Sequence, residues 1–314
     1  MNPDSPLQGE GDRFLISAIQ AGDAGAYRQL VEKYSGRLTA FAARRLSGTG
    51  IDAEDAVQEA FLGFLQSIER LSGVRSLQAY LFRILQNKIA DMTGKRPEAH
   101  GLRRVPLAGP DSRGDSQAGG YDPVAPGATP SSYARRDESI QVRDKVLADI
   151  LDEAIRELKD EKNFRDLKIL ELLFFSSWRN REIASVVGVS EPTVTRVKTA
   201  ALEKLSRLAA RHPQGTRSGN LLEIADDDAS SLIRETWREN LLSCVKRSTL
   251  GAYVLGVLDE IWRDYVSFHI DVAGCETCAA NLADLKSEGT AEASQARERV
   301  FQSSIGFLRK MPRR

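Results

Sequence analysis

Asp52-Ala-Glu-Asp-Ala-Val-Gln-Glu-Ala-Phe-Leu-Gly-Phe-Leu-Gln66 is the stretch on which the fold class turns. With Ile68 just beyond it, Val57, Phe61, Phe64 and Leu65 fall at i, i+4, i+7, i+8 and i+11, one apolar stripe at helical period. Asp52 is placed to cap the helix. Glu54 and Asp55 follow in the first turn, where the helix dipole favours negative charge. The opposite face carries Asp55, Gln58, Glu59 and Gln66. Acids and amides suit a basic protein partner and not DNA.

Working outward, the period stays helical from Arg13 to about Arg96, with breaks at Ser47-Gly-Thr-Gly50 and Leu71-Ser-Gly-Val74. Leu77, Leu81, Ile84, Leu85 and Ile89 form a second stripe. Its helix has a more basic outer face, with Arg83, Asn87, Lys95 and Arg96. Such a face, next to the loop containing Arg75, suits either solvent or single-stranded DNA, and the residues alone leave both open. Residues 97–136 are crowded with Pro, Gly, Ser and Asp and are expected to form a flexible linker. Helical period returns at about Glu138, with Val146, Ile150, Leu151, Ile155 and Leu158 on one face, and a further helix is expected near residues 166–175. A shorter linker is expected over 212–229. No run of alternating residues makes a convincing strand, so the expectation is all-α: two small helical domains, 11–96 and 138–211, and a small helical C-terminal domain. There is no internal repeat.

Charge excludes a globally basic nucleic-acid binder: Lys plus Arg and Asp plus Glu number 44 each in 314 residues. Any nucleic-acid surface must be local. The most apolar run, residues 250–258, has about half the length a membrane span needs. Residues 1–10 read as a disordered lead without a signal-peptide pattern, and a cytoplasmic location with no membrane partner is expected.

Asn180-Arg-Glu-Ile-Ala-Ser-Val-Val-Gly-Val-Ser-Glu-Pro-Thr-Val-Thr-Arg-Val-Lys198 has helix-turn-helix spacing. Ile183, Ala184 and Val187 supply the packed face of the first helix. Gly188 is suited to end it with positive φ. Val189 plugs the turn, Ser190 stands at the N-cap, and Pro192 sits in the first turn, where its missing N–H costs nothing. Val194 and Val197 face inward. Thr193, Thr195, Arg196, Lys198 and Thr199 face outward, with donors for phosphates and base edges in a major groove. A helical hairpin with a solvated face is the plainer alternative.

Taken together, the Asp52-Ala-Glu-Asp-Ala-Val-Gln-Glu-Ala-Phe-Leu motif, the 77–91 helix, the linker and the helix-turn-helix resemble the extracytoplasmic-function class of bacterial RNA polymerase sigma factors. The resemblance covers about residues 12–96 and 140–210. It implies that Asp55, Gln58 and Glu59 dock on core RNA polymerase. It further implies that Arg75, Tyr80, Arg83, Asn87, Lys95 and Arg96 bind and help open the −10 element of promoter DNA. The helix from Glu191 would then read the −35 element. The family often has Trp where this chain has Tyr80. The resemblance implies a transcription initiation factor and not an enzyme. A helix-turn-helix regulator acting without polymerase is the alternative, but it leaves the Asp52–Gln66 face idle.

All three cysteines lie near the C-terminus and, with one of three histidines, give Cys244-x24-His269-x5-Cys275-x2-Cys278. Two thiolates two residues apart chelate one metal from a single turn, and a distant Cys and His complete a tetrahedron suited to Zn2+. Buried thiols around a core histidine are the plainer reading, and a redox pair lacks the strand–turn–helix context. A zinc hydrolase or deaminase fits poorly, because a closed Cys3His set leaves no open position. The segment resembles the zinc-containing anti-sigma domain, although that pattern has His-x3-Cys-x2-Cys. Residues 230–285 are therefore expected to be a regulatory domain acting on the rest of the chain, or with a separate regulator. Residues 286–314 are expected to form a helical tail whose Arg309, Lys310, Arg313 and Arg314 are solvated.

Overall fold

The computed structural model describes residues 7–70, 75–94, 130–213 and 226–308. Every regular element among them is helical, as an all-α protein requires. Lys95, Arg96, most of the 97–136 segment and the basic tail from Arg309 lie outside the described residues, as does the Leu71–Val74 break.

The first unit has four helices: α1 (Leu7–Gln20), α2 (Ala24–Arg45), α3 (Ala53–Ser67) and α4 (Leu77–Thr93). Asp23, Asp52 and Ser76 cap α2, α3 and α4 through side-chain oxygens that accept backbone N–H bonds. These caps satisfy donors that the first helical turn leaves without partners. The α3 stripe Val57, Phe61, Phe64, Leu65 and Ile68 is buried to the last residue. It packs with Tyr27, Leu30, Leu38 and Phe41 of α2 and with Leu81, Phe82 and Leu85 of α4.

The second unit has α5 (Pro130–Asp160), α6 (Phe164–Leu170), α7 (Asn180–Val187) and α8 (Glu191–Arg211). Helix α5 starts six residues before the end of the expected linker, because Ser131-Ser-Tyr-Ala-Arg-Arg-Asp-Glu138 contains no Gly or Pro to stop it. Between α6 and α7 the chain makes a π-helical turn, Glu171–Phe175. Gly188 ends α7 at φ 73°, and Pro192 lies in the first turn of α8. Ser190 holds the N-cap position, but its hydroxyl pairs with Thr193 Oγ1 at 2.9 Å and caps no backbone N–H.

The C-terminal helices divide their packing between the two units. Helix α9 (Asp226–Glu239), α10 (Arg247–Val254), α11 (Glu260–Ser267) and a second π-helical turn (Phe268–Val272) belong to the second core. Ile233, Trp237, Leu250, Tyr265 and Val266 are buried there with Leu167, Leu172 and Phe174. Trp237 stacks on Phe174 with ring centroids 6.2 Å apart, and Tyr265 stacks on Phe164 at 4.6 Å. Helix α12 (Glu276–Ser287) begins in this core and then runs along α2. Helix α13 (Ala291–Leu308) lies across α2 and α3. Ala280 of α12 and Val300, Phe301, Ile305 and Leu308 of α13 complete the first core.

Candidate functional site

Three groups of side chains carry chemistry. The first is on α3. Asp55 and Glu59 are exposed and Gln58 is half-buried, on the side away from the buried stripe. Glu59 accepts an ion pair from Lys88 of α4 at 3.1 Å. Glu54 is bound by Arg299 of α13 through two short contacts, 2.8 and 2.5 Å.

The second group lies along α4 and α8. On α4, Tyr80 is buried: its hydroxyl donates to Ser67 Oγ at 2.7 Å and its ring meets Phe64 edge-on. The surface left for a ligand is therefore that of Arg75, Arg83 and Asn87. Both arginines are already paired. Arg75 contacts Asp149 and also Asp152, the latter at 2.9 Å, both on α5 of the second unit. Arg83 faces Glu239 at the end of α9 at 3.5 Å. On α8, Val194 and Val197 are buried, whereas Thr195, Arg196 and Thr199 are exposed and Thr193 and Lys198 are half-buried. The Thr195 hydroxyl lies 3.3 Å from the Glu191 carbonyl and from Asn180 Nδ2. Helix α8 packs on α5, α6 and α7, so its outer face is not covered by the C-terminal helices.

The third group is brought together from four places. Cys244 lies in the turn after α9, His269 in the second π turn, Cys275 at the N-cap of α12 and Cys278 in its first turn. One donor atom from each lies within 4.8 Å of the others. Cys244 and Cys275 sulfurs are 3.4 Å apart. Tetrahedral ligation at a Zn–S bond of about 2.3 Å sets sulfurs about 3.8 Å apart, so small shifts suffice. Gly274, at φ 73°, turns the chain so that the Cys275 N–H reaches the His269 carbonyl at 3.1 Å.

Glu171, which sequence reasoning did not single out, completes this group. Its Oε1 lies 2.8 Å from His269 Nδ1 and accepts from the Tyr265 hydroxyl at 3.0 Å, with all three side chains fully buried. That leaves His269 Nε2 buried with no hydrogen-bond partner. An imidazole held through Nδ1 by a carboxylate, with its other nitrogen free toward three sulfurs, has the arrangement of a metal-ligating histidine and its orienting acid. The residues present fit a tetrahedral metal. Each member of the Glu–His pair sits in a π-helical turn, a feature that recurs at functional sites. No sequence signal marks a π turn or pairs positions 98 residues apart; the one available clue was an acid inside an otherwise apolar run, Ile169-Leu-Glu-Leu-Leu173.

The electrostatics agree with a shared charge. Hydrogen bonds from Cys244 and Cys275 hold the Cys278 thiol well below its ordinary value, against the effect of burial. Cys244 is pushed well up by its hydrogen bonds with Cys275 and Cys278 and by burial. Burial works to lower the His269 pKa, but the Glu171 carboxylate and Cys275 outweigh it and raise it to about 10. Without a metal, Glu171 and Cys275 thus favour the charged form of His269. A metal ion takes over that positive charge and needs the imidazole neutral.

A helical unit with an acid-and-amide face is thus joined in one chain to a helix-turn-helix whose outer residues are exposed. Residues 30–96 match the sigma-70 region 2 family. The chain is 26% identical over 210 residues to an RNA polymerase sigma-28 factor of Bacillus thuringiensis, an alignment covering 64% of this chain and 82% of that protein. It is 32% identical over 138 residues to the RNA polymerase sigma factor CnrH of Cupriavidus metallidurans, covering 43% and 65%. Against an ECF RNA polymerase sigma-E factor of Haemophilus influenzae it is 32% identical over 89 residues, 27% of this chain and 46% of that one. No solved structure matches the chain. Residues 30–96 are thus a sigma-70 region 2, the chain is similar to extracytoplasmic-function sigma factors over part of its length, and its C-terminal part holds a Cys–His cluster whose geometry is compatible with zinc. No helix among the described residues is long and apolar enough to cross a membrane.

Proposed function

We propose that this sigma factor binds core RNA polymerase through Asp55, Gln58 and Glu59 of α3 and directs it to promoters, where α4 and its preceding loop engage the −10 element and α8 the −35 element. The observation that carries the reading is the split of α3 into a fully buried stripe and an exposed acidic face. Asp55 is exposed with no ion pair among the described residues, and Glu59 pairs only with Lys88 at 3.1 Å, so the face remains open to a basic partner. Arg75, Arg83 and Asn87 serve the −10 strand, with Lys95 and Arg96 following on in sequence, and Tyr80 acts by supporting that surface from below. Thr193, Thr195, Arg196, Lys198 and Thr199 present donors to the −35 duplex. The chain supplies binding energy and specificity, and polymerase forms the bonds. Residues 230–285 hold Zn2+ through Cys244, His269, Cys275 and Cys278, a closed ligand set suited to a structural or regulatory metal and not to hydrolysis.

The test is co-purification with core polymerase and promoter-specific transcription in vitro. Asp55→Arg should lose core binding while its helical circular dichroism matches the parent chain. Equal retention of core by parent and variant would overturn the assignment of the α3 face. Absence of any promoter-specific initiation by the parent chain would favour a regulator that works without polymerase.

A further inference from the structure

Helix α12 joins the metal cluster to the first unit. Its N-terminal end carries Cys275 and Cys278 inside the second core. Its other end carries Asp284, nearly fully buried, which pairs with Arg247 of α10 at 2.6 Å and Arg297 of α13 at 3.2 Å. There it lies against Gly36 of α2 so closely that a Cβ on Gly36 would collide with the Asp284 carboxylate. Helix α12 is thus fixed at one end by two of the four candidate ligands and seated at the other on a glycine that only a bare backbone allows. Helix α13 follows onto α2 and α3, with Ser304 accepting from the Tyr27 hydroxyl at 2.7 Å in the buried seam. In this arrangement Arg75 is held by Asp149 and Asp152, and Arg83 faces Glu239.

We infer that an occupied Cys244–His269–Cys275–Cys278 site keeps α12 docked at Gly36 and so holds the two units closed, with Arg75 and Arg83 engaged by acidic residues of the chain itself. Loss of the metal frees the α12 N-terminus, loosens the seat on α2 and opens the seam. This rests on the metal and −10 readings above and adds that the metal controls access to the −10 cations. The acids compete directly with phosphate: a cation already neutralised inside the chain releases no counterion gain on meeting DNA. Closed and open forms differ in affinity for a single strand because only the open form presents both guanidiniums.

The experiment uses the full chain loaded with zinc, the same chain after chelation, and Gly36→Leu with zinc retained. Small-angle scattering reads closure, amide exchange in α13 reads docking, and anisotropy of a labelled single-stranded −10 oligonucleotide reads access. Chelation and Gly36→Leu should each enlarge the radius of gyration and speed exchange in α13. Each should also tighten oligonucleotide binding by about fivefold or more, the low end of ordinary coupling between sites. Phe301→Asp, which disrupts the α13 seat on Tyr27 and Arg28 with no substitution in α2 or among the ligands, guards against a folding defect peculiar to Gly36→Leu and should open the chain likewise. Wild-type chain that binds no zinc, or that stays compact after zinc is stripped, overturns metal control. Compact, slowly exchanging Gly36→Leu and Phe301→Asp chains overturn the role of the α12–α13 seat. If scattering and exchange report opening but oligonucleotide binding does not change, the inference fails as to the cations, and the fault lies in the −10 assignment and not in the coupling.

Discussion

At the scale of single residues, Glu171 has the least freedom to change. A carboxylate removed from water is costly unless it is paired, and this one is paired twice, with His269 and Tyr265. Burial alone would raise its pKa, yet the charge on His269 holds it below the ordinary carboxylate value. Both of these pairings run through its Oε1. Glu171→Gln keeps the volume but weakens the acceptor that orients the ring. Removing an orienting acid of this kind typically weakens metal binding about 10–100-fold. Chelator competition on the purified chain should therefore show zinc affinity reduced within that range. An affinity within about threefold of the parent would mean that Glu171 only fills space, a fall too small for an orienting role. Cys278→Ser should remove bound zinc outright, since three remaining ligands cannot close the tetrahedron.

At the scale of elements, the two helices expected to face partners behave differently. The outer face of α8 is open, with Arg196 exposed and making no ion pair among the described residues. Its inner face is fixed by Val194 and Val197 against the second core. Arg196→Ala should therefore leave stability unchanged and weaken −35 duplex binding. If Arg196 meets a phosphate, the slope of log affinity against log salt should fall by about 0.9, whereas a base contact would relax sequence preference at one position. Titrations at four salt concentrations on two duplex sequences separate these outcomes; unchanged affinity and slope would remove Arg196 from the reading face. The same elements show what can be read from sequence. The stripes of α3, α4 and α5 were legible because burial on one helical face imposes its period on the residues themselves. The turn at Gly188 was legible because positive φ selects glycine. Tyr80 was not legible as buried, because a tyrosine can lie over a core or over a base with the same spacing; only Ser67 and Phe64, thirteen and sixteen residues earlier, decide it. The four candidate ligands were legible as a group from chemical type and spacing, whereas Glu171 depends on two distant π turns meeting.

At the scale of the molecule, the C-terminal third is not an appendage that can be cut away cleanly. Trp237 is buried against Phe174 and donates its indole N–H to Ser243 Oγ at 2.8 Å. Arg238 donates to the Phe175 carbonyl at 2.5 Å, and Ser176 to the Ala273 carbonyl at 2.9 Å. A chain ending at Arg211 would expose Leu172, Phe174 and the Glu171 carboxylate at once. Loss of a buried aromatic partner alone costs about 3–5 kcal/mol, comparable with much of a small domain's stability. Such a chain should melt well below the parent and aggregate, so a loss of transcription from it would say nothing about regulation. A chain ending at Gly289 is the informative cut. It keeps α9 to α12 and all four candidate ligands but removes α13, exposing the first-unit surface around Tyr27 and Phe61 that Val300, Phe301 and Ile305 cover. Each of those side chains contributes about 1.5–3 kcal/mol by burial. The first unit should therefore lose several kcal/mol, and calorimetry should resolve an earlier transition for it while the second unit, with zinc bound, melts near its original temperature. A single transition shifted as a whole would mean that the two units unfold together and that α12 couples them more tightly than α13 does.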